Sequence, residues 1–300
     1  MEVYLLGEPY GTVPTVCALG LFDGVHQGHR ALLEQTVALA MARGLTPAVL
    51  TFCDGGFKQG GRLTTQEERL ALFEEIGIQR VYLMDFDTVR SLTPDAFVET
   101  LLIGQAGAEV AVCGFNYRYG RGAAGDADSL CQKMESLSRE AVVIPPASTE
   151  DGTPISSSRI RRAIEAGDIP QANGLLGRPY ALVATVLHGQ GLGHTLGLPT
   201  INQAFSRGQV VPSRGVYATL CYVDGVPYRG VTNVGVRPTV DGSTLLAESH
   251  LLGFTGDLYG SLVRCAFYEK LREEQRFETL EALASQIRQD IDEVKRYDKY

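Results

Sequence analysis

The segment Gly20-Leu-Phe-Asp-Gly-Val-His-Gln-Gly-His29 sets two histidines three residues apart among three glycines. Gly24 and Gly28 let a backbone approach a phosphate, and a helix starting here turns unpaired N–H groups and its positive dipole end toward it. His26 and His29 at that tip can donate to phosphoryl oxygens as charge builds during transfer. Phe22 and Asp23 ride on the same turn. The plainer reading is that both histidines only cap a helix. No G-x-x-x-x-G-K-[ST] occurs, so this is not a Walker loop. Ile155-Ser-Ser-Ser-Arg-Ile-Arg161 offers Ser157, Ser158 and Arg161 as anion ligands at a second helix start, although serines also cap helices that bind nothing. Gly114-Phe-Asn-Tyr-Arg-Tyr-Gly120 supplies Asn116, Arg118 and aromatic rings, suited either to the wall of a planar-ring site or to a packed turn.

A second set follows. Gly189, Gly193 and Gly197 punctuate a loop whose amides can wrap phosphates. After Pro199, Thr200 and Asn202 alternate on extended chain, so both oxygens face one side. A hydroxyl and an amide are hard ligands suited to magnesium held chiefly by nucleotide phosphates. Glu248 shares a strand face with Leu246 and His250, a carboxylate among apolar neighbours that is either paired or employed. Employed, it suits a general base toward an alcohol.

Elements must hold these groups in place. In the first half, β-rich runs at Pro14–Gly20, Pro47–Phe52, Arg80–Met84, Glu109–Cys113 and Ala141–Ile144 recur about every thirty residues, the length of a βα unit. Helices lie between them. One runs from about Gly28 to Arg43, with Leu33, Val37 and Met41 on one face and Gly44 as its stop. Another opens with a capping box at Thr65 and Glu68, buries Leu70, Phe73 and Ile76, and ends at Gly77. A third starts at Thr93-Pro94. Near-continuous apolar strands covered on both faces predict a parallel α/β sheet. Helical pattern continues over Ser158–Ala166 and Ile169–Leu176 and breaks at Gly177-Arg178-Pro179, which divides the chain into domains 1–177 and 178–300. Beyond that break, Leu182–Leu187, Val216–Val223, Val226–Val231, Thr244–Leu252 and Leu262–Tyr268 read as strands, with turns at Asp224-Gly225 and Asp241-Gly242. A final helix near Thr279–Arg296 carries Leu280, Leu283, Ile287, Ile291 and Val294 on one stripe. This texture predicts a small barrel.

Across 300 residues, 44% are apolar and 21% charged, an ordinary globular composition. The net charge of −8 and the lack of a basic run argue against nucleic acid or an anionic membrane as partner. No apolar run reaches the eighteen or so residues of a membrane span. The amino terminus does not read as a signal peptide, and the six cysteines contain no C-x-x-C, as expected of thiols in a reducing cytoplasm. The sequence leaves the oligomeric state open.

The chain resembles the bacterial bifunctional riboflavin kinase/FMN adenylyltransferase, or FAD synthetase, family. Its first half matches G-x-F-D-G-x-H-x-G-H at Gly20–His29, G-F-N-Y-R-[FY]-G at Gly114–Gly120 and I-S-S-[TS]-x-I-R at Ile155–Arg161. Its second half matches G-x-x-x-G-x-x-x-G-x-P-T-x-N ending at Asn202, and E-[ST]-H-L-L-x-F-x-G-D-L-Y-G at Glu248–Gly260. The resemblance implies a Rossmann-like nucleotidyltransferase domain and a six-stranded Greek-key barrel with a terminal helix. It also implies two reactions using ATP and Mg2+, riboflavin to FMN and FMN to FAD. By this likeness His26 and His29 stabilise the ATP phosphates, Ser157, Ser158 and Arg161 hold them, and Asn116 lines the shared pocket. Glu248 becomes the base, Thr200 and Asn202 the magnesium ligands, and Arg272 a contact to flavin or nucleotide. One departure stands out. The family's T-F-[DE]-P-H-P turn is replaced by Thr51-Phe-Cys-Asp-Gly-Gly-Phe57, which leaves open a kinase with a weakened adenylyltransferase. A flavin-binding regulator without turnover is the remaining alternative, and it has little use for both His29 and Glu248.

Overall fold

The structure, a computed structural model, describes residues 1–7, 11–53, 61–188, 198–239, 242–298 and 300. It comprises two compact units, Met1–Ser157 and Ser158–Tyr300.

The first unit is built on a parallel sheet of β1 (Glu2–Leu5), β2 (Thr15–Leu19), β3 (Thr46–Phe52), β4 (Arg80–Met84), β5 (Ala108–Gly114) and β8 (Glu140–Ile144). A two-stranded ribbon of β6 (Arg118–Tyr119) and β7 (Gly125–Asp126) stands beside it. The sheet order is β1-β4-β3-β2-β5-β8. Along β2 the pleat divides the side chains, Cys17 and Leu19 entering one core cluster and Val16 and Ala18 the other. Burial on both faces explains why these strands read as unbroken apolar runs. The two edges differ: β8 has no fully buried residue, and β1, only four residues long and mostly exposed, was too short to read as a strand.

Helices α1 (Gln27–Arg43), α2 (Gln66–Ile76), α3 (Phe86–Val89), α4 (Pro94–Ala96) and α5 (Ala127–Ser136) connect the strands. Gly44 and Gly77 end α1 and α2 in the left-handed conformation, and both halves of the Thr65–Glu68 capping box form. Two details differ from the sequence reading. Met41 is 78% exposed, and the buried stripe of α1 is Leu32, Leu33, Thr36 and Ala40. A spacing of four drifts about 40° per step around a helix, so a run that starts at buried Leu33 is half-buried at Val37 and off the core face by Met41, while steps of three and four through Thr36 and Ala40 keep to it. The helix opened by Thr93-Pro94 widens after three residues into a π-helix over Phe97–Gln105.

The second unit starts with α6 (Ser157–Ala166) and α7 (Ile169–Leu176) and continues into a closed antiparallel barrel. Its strands are β9 (Ala181–Leu187), β10 (Ile201–Ala204), β11 (Gly215–Val223), β12 (Val226–Thr239), β13 (Gly242–Leu251) and β14 (Leu262–Arg272). They run in the order β10-β13-β12-β11-β14-β9, with β9 pairing β10 to close the ring. Asn173 ties α7 to this barrel, accepting from the Tyr180 amide at 2.7 Å and donating to the Phe267 carbonyl at 2.9 Å. That tie keeps the two helices with the barrel, although the sequence texture changes only after them. Asp224 and Gly225 both have positive φ, the conformation of a tight hairpin turn. The predicted turn at Asp241 lies outside the described residues. The closing helix α8 (Leu280–Arg296) starts at a Thr279 cap and buries Ala284, Asp290, Ile291 and Val294. Leu280, expected on that stripe, is 50% exposed, because the buried stripe begins one turn later.

Candidate functional site

In the first unit the chain progresses from β2 through β3 to β4 in one direction across the sheet, and from β5 to β8 in the other. The reversal lies between β2 and β5, and ligands of open α/β sheets bind beyond the carboxyl ends of such strands. The loops leaving these two strands are the Gly20–His26 turn and the segment starting at Gly114. Phe22, Gly24 and Val25 all take positive φ, so the turn is coiled tightly. The Phe22 ring folds back into the core, where an added Cβ on Gly20 would meet it at 3.0 Å. Buried Asp23 accepts from the amides of Leu63 at 2.9 Å and Thr64 at 3.4 Å, and the Gly24 amide donates to the Thr64 hydroxyl at 3.1 Å. The side chains of Phe22 and Asp23 thus brace the turn from within.

His26 caps α1, its Nδ1 accepting from the His29 amide at 3.3 Å. That bond leaves the ring proton on Nε2 in the neutral form. The two imidazoles stack with centroids 3.6 Å apart, so the plain capping role and a paired presentation at the helix tip coexist. An added Cβ on Gly28 would lie 3.3 Å from the His26 ring and 3.4 Å from the Ala147 methyl, so glycine gives the stack its room. Ser157 donates to the Asp23 carbonyl at 3.0 Å, which joins it to the Gly20–His26 turn. Ser158 and Arg161 continue along α6, in the second unit. Asn116 is exposed just past β5, beside Phe115, which is exposed as well.

At the barrel, Glu248 stands between two amides. Its register partner on β10 is Asn202 and on β12 is Asn233. Cross-strand partners share a face of the sheet. A pocket of about 200 Å³ is bordered by Thr200, Asn233, Glu248, His250, Arg272 and α8. A second pocket, about 420 Å³, is bordered by Val186, Pro199, Thr200, Phe254, Asp257 and Tyr259. Thr200 borders both. Arg272 reaches the first pocket from β14 while its guanidinium grips Asp290 of α8 with two bonds, 2.9 and 2.8 Å. The Tyr259 ring stacks on His188 at 4.0 Å beside the second pocket. Gly189, Gly193 and Gly197 lie outside the described residues.

Residues 11–159 match the family described as FAD synthetase, and residues 176–298 the one described as riboflavin kinase. Proteins named bifunctional riboflavin kinase/FMN adenylyltransferase match nearly end to end. The one from Bacillus subtilis is 34% identical over 94% of this chain and 92% of its own. That from Pseudomonas fluorescens is 38% identical over 92% and 90%, and that from Escherichia coli K12 36% over 92% and 90%. The chain belongs to the bifunctional riboflavin kinase/FMN adenylyltransferase family. A solved chain described as a macrolide-efflux protein from Streptococcus pneumoniae also shares its fold, with TM-score 0.88 at 27% identity over 99% of this chain and 100% of that one. Among the described residues no helix is long and apolar enough to cross a membrane.

Within this family's two-domain plan, the sequence reading missed two residues that shape the sites. Arg69 of α2 is 1% exposed and donates to the carbonyls of Leu21 and Phe52, each at 2.9 Å. It pins the ends of β2 and β3 together and sets a buried cation beside the Gly20–His26 turn. Its signal was a charge four residues before Phe73, on the buried face of the helix. Asn233 was the other, a polar residue inside the apolar run Val231–Val234. As for magnesium, no three His, Cys, Asp or Glu side chains gather as a metal site among the described residues. Thr200, which borders both pockets, and Asn202, the register partner of Glu248, carry a hydroxyl and an amide, hard oxygens of a kind that suit an ion carried mostly by phosphates.

Proposed function

We propose that the chain converts riboflavin to FMN at the barrel and FMN to FAD at the parallel sheet, with one ATP in each step. The observation that carries this reading is Thr200, which borders two pockets at once with Glu248 facing the smaller. A flavin alcohol in that pocket and a nucleotide in the other would meet across Thr200. Glu248 takes the proton from the ribityl hydroxyl as its oxygen bonds to the γ-phosphorus and the bond to ADP breaks. Thr200 and Asn202 would hold magnesium, which when bound neutralises charge on the phosphates. Arg272 borders the flavin side.

In the other domain an FMN phosphate oxygen bonds to the α-phosphorus of ATP and pyrophosphate leaves. The tip of α1, His26 and His29 face the charge that develops there, and Ser157 supplies a further anion ligand. Asn116 lines the flavin side of that crevice. The domains span 1–177 and 178–300, and the protein works in the cytoplasm on small molecules. Kinase activity alone is the second reading, favoured by the loss of the family's histidine-bearing turn at Thr51–Phe57. Incubating the protein with riboflavin, ATP and magnesium and resolving the flavins over time separates the cases. FMN followed by FAD supports the two-step reading, FMN alone the second, and unchanged riboflavin refutes both.

A further inference from the structure

We propose that His250 is a positioning residue for the kinase site, holding Thr200 where the two pockets meet. The inference rests on the kinase reading above. His250 Nδ1 lies 2.8 Å from the Pro199 carbonyl. A carbonyl only accepts, so this nitrogen carries the proton and donates. The bond is needed because of where the ladders stop. Pairing of β10 with β13 begins at Ile201 opposite Ser249, and pairing with β9 at Asn202. Pro199 and Thr200 therefore precede the first ladder pair of their strand, and Pro199 has no N–H to contribute.

The tether also crosses from one site to the other. His250 borders the smaller pocket, Pro199 the larger, and Thr200 both. Glu248 and His250 sit two apart on β13 and so share a face. One strand thereby carries both the base and the clamp that sets the position of the threonine hydroxyl. Without the clamp, the segment holds its binding-competent conformation for a smaller fraction of the time, and nucleotide affinity falls by that fraction. The folded barrel is spared, and riboflavin affinity, for which His250 is one border residue among many, falls less than nucleotide affinity.

The test compares wild type, His250→Ala and His250→Asn as full chains, since an asparagine amide can donate from nearly the same place. Calorimetric titration with Mg·ADP reads the nucleotide side, quenching of riboflavin fluorescence the flavin side, and FMN-to-FAD conversion the integrity of the rest. The alanine variant is expected to bind Mg·ADP about fivefold more weakly, the weight of one net hydrogen bond. KM for Mg·ATP should rise to match and kcat stay within about twofold, while asparagine restores most of the loss. If the alanine chain does not fold, His250→Leu takes its place, filling the volume without a donor. Unchanged Mg·ADP affinity, an asparagine variant as weak as alanine, or a loss confined to riboflavin overturns the proposal. A wild-type protein that makes no FMN would instead overturn the kinase reading itself.

Discussion

Removing the Asp290 carboxylate should loosen the closing helix from the barrel, and its size follows from the geometry. Asp290 takes both arms of the Arg272 fork and the Gln286 amide at 3.0 Å. Its side chain is 3% exposed and that of Arg272 17%. Breaking a buried pair from one side leaves the other charge without its partner, at about 3–5 kcal/mol. Water reaches the Arg272 side chain to some degree, so Asp290→Ala belongs at the low end, about 3 kcal/mol. Hydrogen exchange of the intact chain, read peptide by peptide, is the suitable assay because the molecule has two compact units. Amides of α8 and β14 should exchange about a hundredfold faster in the variant, with those of the parallel sheet unchanged. Arg272→Met combined with Asp290→Leu should recover most of the protection, since an apolar pair avoids desolvating two charges. Exchange within about threefold of wild type, or a double variant no better than the single, would refute the idea that this ion pair seats the helix.

Other outcomes can be checked independently. Glu248→Gln should stop FMN formation and leave FMN-to-FAD conversion intact, and His29→Ala should do the reverse, both followed by flavin chromatography. Thr65→Ala removes one half of a formed capping box and should destabilise the first unit by about 1 kcal/mol in denaturant titration. Cys17, Cys113, Cys221 and Cys265 are buried, and burial pushes the Cys113 thiol up to about 12. Because burial keeps the reagent from those four sulfurs, iodoacetamide should label only the half-buried Cys53 and Cys131 in the native protein by mass spectrometry. All six should react once it is unfolded.

The strands of the sheet were legible because burial on both faces makes them apolar throughout. Arg80–Met84 was placed to the residue. β1 was not, since its four residues are too short a run to show a strand pattern. β12 was read only as far as Val231 but runs to Thr239. Polar Thr232 and Asn233 interrupt its apolar pattern, the first bonding to Ser249 and Thr219 inside the barrel and the second facing a pocket. The same logic separates the site residues. Glycines, histidines and serines clustered in sequence announced themselves, and the structure joins Ser157 to the turn at Asp23. Arg69 bonds two backbone carbonyls and His250 one, all distant in sequence, a relation that no spacing encodes.

The reversal of strand order at β2 and β5 has a further effect. The crossover leaving one of these strands heads toward β3, and the one leaving the other heads toward β8, so the two connections splay apart above the sheet. Helix α1, which follows β2, packs on β2, β3 and β5, and α5, which precedes β8, packs beside β8. A ligand seated over those strand tips therefore draws on one loop from each half of the sheet.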